Sequence, residues 1–315
     1  METLPKLSIG IPVYNGERFL EELLINLFHQ TFQAFEIVIC DNASTDATRD
    51  ICLKYSAKDS RIRYHRNERN LGANPNYNKV FALSRAPLFK WAAHDDLYEP
   101  TFLEKCIRML DVNPDAVLAH SDCLCVDEMR RPFAAASAPF TYIDPRSGHT
   151  YTTDPIGLAE GRRPVGRFWE VLFGMDCNMH IFGVIRRQAL ARTGLQRNFY
   201  GTDKLILAEL ALMGRFMQIR EKLYLKRFHG DMSWILSIAE RRSWSNSFDA
   251  AYSLRLRQLA AFSSAPFGKG LSAAEIAACL GIVSLLGPKV VIKALRGYER
   301  QRKAQTTPWR QQTEY

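Results

Sequence analysis

Three short polar stretches in the first third of the chain hold the residues best suited to chemistry: Pro12-Val13-Tyr14-Asn15, Asp41-Asn42-Ala43-Ser44-Thr45-Asp46 and His94-Asp95-Asp96. Each directly follows an apolar run. If those runs are parallel strands, the stretches lie together, because open α/β sheets bind ligands beyond the carboxyl ends of their strands. Carboxylates in such a crevice suit a ribose hydroxyl and a divalent cation carried on phosphate. The pattern predicts a pocket for a nucleoside diphosphate. Asp41 ends one of the apolar runs, where an unpaired carboxylate would be costly, so it needs a hydrogen-bonding partner.

The elements that must position these residues follow from the patterning. Apolar, strand-like runs occupy 7–14, 35–40, 62–65, 88–93 and 116–126. Between the first two, Phe19, Leu20, Leu23, Leu24, Leu27 and Phe28 recur at helical spacing. Ser44, Thr45 and Asp46 offer caps for a helix reaching Tyr55, a further helix is expected over 76–84, and Pro100 suits the opening of another. Such alternation predicts an α/β fold with a mostly parallel sheet flanked by helices. Over 130–167, five prolines together with Gly148, Gly157 and Gly161 punctuate a polar stretch, which reads as a long functional loop. A strand-like run at 181–185, a helix over 203–213 and helical patterning after Trp234 follow. The expected organisation is a catalytic domain over 1–235, with a nucleotide-binding half at 1–128 and an acceptor-side half at 129–235. Residues 236–315 form a helical C-terminal extension with a basic tail.

Composition narrows the classes. Hydrophobic residues make up 47% and charged residues 24% of the chain, as in ordinary globular proteins. The seven cysteines are odd in number, scattered and without a C-x-x-C pair, which argues against a zinc site or a disulfide framework. Reduced, buried thiols of a cytoplasmic protein are expected. The chain runs from Met1 almost directly into a strand-like run, so no signal peptide is expected. The apolar run at 278–286 breaks at Gly287-Pro288, short of the roughly 20 residues a membrane span needs. Of the net charge of +9, residues 288–315 carry +5, with seven basic residues against two acidic. That tail suits anionic lipid headgroups at about 1 kcal/mol per charge, a peripheral location on the inner membrane face, and equally a solvated helix end. Nucleic acid is not an expected partner, because no binding motif accompanies the charge.

Taken together, Ser8-Ile9-Gly10-Ile11-Pro12-Val13-Tyr14-Asn15, Ile37-Val38-Ile39-Cys40-Asp41-Asn42-Ala43-Ser44-Thr45-Asp46 and His94-Asp95-Asp96 resemble the family 2 glycosyltransferases of GT-A fold. The order and spacing agree over roughly the first 130 residues, and 179–233 is similar more loosely. The resemblance implies transfer of a sugar from a nucleotide-diphospho-sugar, with inversion and a divalent metal (Mg or Mn). The acceptor would be a glycan, glycolipid or other hydroxyl compound of cell-envelope or polysaccharide biosynthesis. It implies that Pro12, Tyr14 and Asn15 line the nucleobase floor and that Asp41, beside Asn42, accepts from the base ring N–H. Asn70, Gly72 and Asn76 fall in the donor-binding segment. Asp95 takes the metal, Asp96 supports it, and His94 either ligates, hydrogen-bonds phosphate or packs locally. Ala93 stands where the family pattern carries its first acid, which leaves metal dependence open. In Gly201-Thr202-Asp203, Asp203 is implied to be the general base that an inverting transfer requires. His229 corresponds to a metal or pyrophosphate ligand, and Arg227 with Lys226 would neutralise the leaving diphosphate. Local readings stand beside these: Asp41 and Asp203 as helix caps, His229 as a structural histidine, and the asparagines as turn residues.

Acids in a cleft also serve hydrolases, but hydrolysis needs no nucleotide pocket. A sugar-phosphate nucleotidyltransferase would carry a glycine-rich basic loop after the first strand, where this chain has Pro12-Val13-Tyr14-Asn15-Gly16-Glu17. The remaining alternative is a non-catalytic nucleotide-sugar-binding or scaffold protein of a membrane-surface assembly complex, which the alanine at 93 would fit.

Overall fold

A strand buried on both faces reads as a continuous apolar run, and β1 (Leu7–Val13) and β2 (Phe35–Asp41) are buried at every position. The computed structural model describes residues 4–145, 148, 150–230, 232 and 251–286. Further strands are β3 (Ile62–Arg66), β4 (Leu88–Trp91), β5 (Leu97–Tyr98), β6 (Ala116–Val126), β7 (Ala134–Ala135), β8 (Thr141–Ile143), β9 (Thr150–Thr152), β10 (Val184–Arg186) and β11 (Arg215–Arg227). Eight of them form one sheet in the order β3-β2-β1-β4-β10-β6-β11-β5, and β7-β8-β9 form a small second sheet. β1 is parallel to β2 and β4, β2 to β3, and β6 to β11, whereas β10 runs antiparallel between β4 and β6. The carboxyl ends of β1, β2, β4, β6 and β11 therefore share one edge.

Helices cover both faces. They are α1 (Leu20–Phe28), α2 (Thr48–Ser56), α3 (Ala73–Leu83), α4 (Phe102–Val112), α5 (Pro164–Gly174), α6 (Arg187–Ala191), α7 (Thr202–Met213), α8 (Ala251–Ser264) and α9 (Ala273–Ser284). Side chains alternate across a strand, and β2 divides accordingly. Ile37 and Ile39 join a core with Leu20, Leu23, Leu24 and Leu27 of α1 and Leu103 and Leu110 of α4. Val38 and Cys40 face the opposite core, built on α3, α5 and α7. Ala261 of α8 and Cys279 and Val283 of α9 are buried in that same core. The expected mostly parallel α/β sheet is present.

Several expectations move. α3 begins at Ala73 rather than 76, with Pro75 in its first turn, where the missing N–H would be unpaired anyway. The segment 168–173 is the body of helix α5, and 181–185 splits into a 3₁₀ turn (Met179–Phe182) and β10. The loop over 130–167 contains the β7-β8-β9 sheet. β11 has no counterpart in the sequence reading. No helix among the described residues is long and apolar enough to cross a membrane, and all seven cysteines are free. The segment after Trp234 up to 250 and the basic tail at 288–315 lie outside the described residues.

The sheet edge that carries the polar stretches depends on close packing beneath it. A Cβ at Gly10, in the middle of β1, would stand 2.9 Å from the Phe89 ring and from Val80 of α3. Gly10→Val should lose about 1–3 kcal/mol by overpacking, read as a lower urea midpoint at unchanged m-value. A variant as stable as the native chain would show that α3 does not rest against β1 there.

Candidate active site at the carboxyl edge of the sheet

The turns after β1 and β2 are fastened to each other. Asn15 and Ala43 both adopt left-handed backbone, at φ +50° and +61°, a conformation that non-glycine residues hold only where surroundings enforce it. Asn15 N donates to Ser44 Oγ (2.9 Å), Thr45 N to Asn15 Oδ1 (2.9 Å), and Gly16 N to Thr48 Oγ1 (2.8 Å). Asp46 accepts from Thr48 N (3.0 Å) and Glu17 N (3.0 Å), so it caps α2 and ties it to the first turn. Pro12 is buried in register with Cys40, while Tyr14 stands 43% exposed over the edge. Asp41 is fully buried and accepts from Ser44 N (2.8 Å), Tyr64 Oη (2.8 Å) and Arg66 Nε (3.2 Å). A carboxylate offers about four lone-pair sites, so one remains for a ligand N–H.

The asparagines of the predicted donor segment bond mainly to one another. Asn42 Nδ2 donates to Asn70 Oδ1 (2.7 Å) and Gly72 O (3.2 Å), and its Oδ1 accepts from Asn67 Nδ2 and Leu71 N (2.9 Å each). Asn76 accepts from Asn67 Nδ2 (3.0 Å) and donates to Cys40 O (2.8 Å). These side chains shape the loop that frames the crevice, and they present Gly72, at φ +83°, as the turn into α3.

The third stretch forms a buried acid turn. His94 touches the first turn closely enough that a Cβ at Gly16 would meet its ring at 2.9 Å. Asp96 is fully buried and accepts from Tyr224 Oη (2.5 Å), Lys226 Nζ (3.1 Å) and Arg227 N (3.1 Å). Asp95 Oδ2 lies 2.8 Å from His229 Nε2, and the His229 ring packs on Phe19 at 4.9 Å. Burial would raise the Asp95 carboxyl, but the Lys226 ammonium and the His229 hydrogen bond outweigh it and hold Asp95 below the usual range. Asp96 is raised, chiefly by burial and further by Asp95 beside it, against the pull of Lys226. Beneath them Lys90 is fully buried over the rings of Tyr98 (3.9 Å) and Phe102 (4.7 Å), and burial pushes its ammonium down to about 7.

The structure thus joins Asp95, Asp96, Lys226 and His229 and places Arg227 differently. The Arg227 guanidinium is 2% exposed, bound to Glu22 of α1 (2.6 Å) and Glu128 O (3.2 Å), and stacked over Phe19 at 4.5 Å. It anchors β11 to α1 within the wall rather than opening into the crevice. Among the described residues no cluster of three His, Cys, Asp or Glu side chains could hold a metal. The Asp95 carboxylate offers oxygen of the kind Mg²⁺ or Mn²⁺ takes alongside waters and phosphate oxygens, while His229 Nε2 is bonded to that carboxylate; this is not an all-protein zinc cage.

Asp203 lies in the first turn of α7, after Gly201 at φ +86°. Burial raises its carboxyl, against a 2.5 Å hydrogen bond from Gln196 Nε2. Gln196 also accepts from Thr202 Oγ1, and its backbone is clasped by Asn78 of α3 at 3.0 and 2.8 Å. Tyr77, next to Asn78 on α3, has its hydroxyl pushed up by burial and further by the charges of Asp203, Asp95 and Asp96. Sequence reasoning missed Tyr77, Gln196 and Tyr224. Nothing local marks Gln196 and Tyr224, whose partners are distant in the chain, whereas Tyr77 sits between two noted asparagines.

Comparison with known proteins bears on the family likeness and on the fold. Residues 8–159 match the family model described as "Glycosyl transferase family 2". An uncharacterised glycosyltransferase of Rickettsia typhi is 36% identical over 107 residues, 34% of this chain and 32% of the relative. One of Methanocaldococcus jannaschii is 32% identical over 126 residues, 39% of this chain and 43% of the relative. The matched segments therefore take in less than half of these relatives. Among solved structures, S. aureus TarS 1–349 in complex with UDP-GlcNAc superposes at a TM-score of 0.61 and 18% identity, over 87% of this chain and 70% of that one. Mannosyltransferase PcManGT from Pyrobaculum calidifontis, in complex with GDP-Man and Mn²⁺, gives 0.55 and 14%, over 98% and 78%. At such identities the likeness establishes the fold, a GT-A-type α/β sheet.

Lys226 is the cation nearest both buried carboxylates, with 12% of its side chain exposed. Lys226→Met should cost about 3–5 kcal/mol at pH 7, because it leaves buried charge uncompensated. Loss of the cation raises the folded-state pKa of both acids. A carboxyl raised in the folded state costs stability above that pKa and recovers it on protonation, so the deficit should narrow from pH 7 to pH 5. Urea unfolding at the two pH values tests this; a deficit that is constant or grows on acidification would contradict it.

Proposed function

Because residues 8–159 match the model of glycosyl transferase family 2, we propose that the chain is an inverting glycosyltransferase that moves a sugar from a nucleotide-diphospho-sugar to a hydroxyl acceptor. The observation that carries this is the Asp95–His229 pair following His94, whose ring stands against the turn after β1, at the edge where β1 and β2 end, with Asp203 opening α7. The base rests against Tyr14, with its ring N–H on the open lone pair of Asp41. The diphosphate lies toward Asp95 and His229. Asp95 and His229 would hold a divalent cation there, which would supply charge neutralisation for the diphosphate, since Lys226 and Arg227 are paired with Asp96 and Glu22. Asp203 takes the acceptor's hydroxyl proton while that oxygen bonds to the anomeric carbon. The bond from that carbon to the diphosphate oxygen breaks, and the nucleoside diphosphate leaves with the electron pair. Gln196 fixes one oxygen of Asp203 and leaves the other for the acceptor.

In this reading, 1–128 binds the donor, 129–235 forms the acceptor side, and 236–315 buttresses it through α8 and α9. Envelope or polysaccharide glycans suit a protein whose residues 288–315 carry +5. Deleting that segment should abolish partition onto anionic vesicles, and unchanged partition would remove the membrane from the proposal.

Nucleotide release from UDP-, GDP- and dTDP-sugars, with Mn²⁺, Mg²⁺ or EDTA and an acceptor extract, tests the function. One donor should be turned over. Asp203→Asn should lower the rate about 10²–10⁴-fold with nucleotide affinity retained. Since the Asp203 carboxyl is raised, the acid limb of kcat/KM should lie above the ordinary value of about 3.9. For the same reason its ionisation costs stability at neutral pH, so Asp203→Asn should be no less stable than the native chain. A variant that unfolds more readily would make Asp203 a structural cap. Tight nucleotide binding with no release from any donor would favour a nucleotide-sugar-binding module.

A further inference from the structure

Beside the acid turn lies a cavity of about 370 Å³ that the donor side does not use. It is lined by His120 and Cys123 of β6, by Phe140 and Tyr142 at the small sheet, and by Met179 and His180 of the 3₁₀ turn. Buried polar atoms rarely lack a partner. Of the seven such side-chain atoms without a protein partner among the described residues, four are His120 Nε2, Asn178 Oδ1 and both ring nitrogens of His180. His120 and His180 are 5% and 3% exposed, with ring centroids 4.1 Å apart. The Nδ1 of His180 stands 3.4 Å from Asp154 Oδ2 without hydrogen-bond geometry. Asp154 itself is turned to the backbone, accepting from Asp176 N (2.6 Å) and Cys177 N (2.8 Å). Phe140 of this wall holds left-handed backbone at φ +54°, as does Asn178 at +57°, which precedes the lining Met179, a strain that tends to gather at functional sites.

The charged groups lining the cavity include Asp122, which accepts from Gln218 Nε2 at 2.5 Å, and Lys222, which is exposed and sits over the Tyr142 ring at 5.4 Å. The groups without a hydrogen-bond partner are His120 Nε2 and the ring nitrogens of His180, beside the aromatic face of Phe140, 38% exposed. The cavity also adjoins the reacting centre. Cys123 is in register with Tyr224, whose hydroxyl binds Asp96, and the 3₁₀ turn packs on α7, which opens with Asp203.

We infer that this cavity receives an uncharged sugar ring of the acceptor, its hydroxyls bonded by His120 and His180 and its apolar face against Phe140. The inference rests on the transferase reading, and it names the acceptor class for that site. Hydroxyl-matched polar groups beside an aromatic face are what an uncharged pyranose requires.

The test uses the full chain, with methyl glycosides of glucose, galactose, mannose and N-acetylglucosamine and their 6-phosphates as probes. Binding is followed by saturation-transfer NMR, and nucleoside diphosphate affinity by calorimetry. At least one neutral glycoside should bind. His180→Ala should weaken it about tenfold, as loss of one good hydrogen bond gives, with nucleotide affinity unchanged. Phe140→Gly, which relieves the left-handed strain and so preserves the fold, should weaken it too. Binding of only the 6-phosphates, neutral binding that survives both variants, or no glycoside binding by a chain that still binds nucleotide would each overturn the inference. Glycoside binding lost in the variants of a chain that binds no nucleotide would keep the sugar pocket and remove the transferase.

Discussion

Two adjacent carboxylates, Asp95 and Asp96, are withdrawn from solvent at the end of a strand, and most of the sheet's carboxyl edge is arranged around that burden. Ionised carboxylates cannot enter a protein interior without charge and hydrogen-bond partners. Here the partners all come from the end of β11, more than 120 residues further along: Tyr224, Lys226, the Arg227 N–H and His229. β11 must therefore lie beside β5 and β6, and its end must be held, which the buried Arg227 does through Glu22 of α1. The acid turn, the long strand and the first helix form one electrostatic unit.

The donor side meets a different constraint by a related device. The turns after β1 and β2 would splay if left to their backbone, since both carry a non-glycine residue in the left-handed region. Cross-bonds from Asn15 to Ser44 and Thr45, and from Gly16 to Thr48, hold them together before any ligand arrives. The asparagine network through Asn42, Asn67 and Asn76, extended by Lys79 on Asn67 Oδ1 (2.6 Å), fixes the third loop likewise. Such preorganisation lowers the entropy lost on binding.

How much of this could be read from the chain depended on how local each determinant is. β1, β2, β6 and α7 are set by apolar runs or helical spacing and were legible. β11 was not, because Arg220, Glu221 and Lys222 interrupt it at an irregular register with β6, where an apolar alternation would otherwise show. The strands of the small sheet are two or three residues long, too short for a period to register. Asp95 and His229 could be paired from family likeness alone, and the geometry now joins them. Arg227 was assigned to the donor by its charge; its burial against α1 depends on a contact no local pattern encodes. Gln196 owes its place to Asn78, 118 residues away, and could not be found from the chain.

The two sides of the crevice consequently differ in how they can discriminate. On the donor side, the asparagine side chains and most of the Asp41 lone pairs are engaged within the protein, so a wrong ligand leaves little unpaired and selection falls to loop shape. On the acceptor side, His120 and His180 are buried with free nitrogens. A site of that kind rejects a ligand lacking the matching hydroxyl, because the rejected complex keeps buried polar groups without partners. The same polar groups forfeit stability when the cavity holds nothing that bonds them.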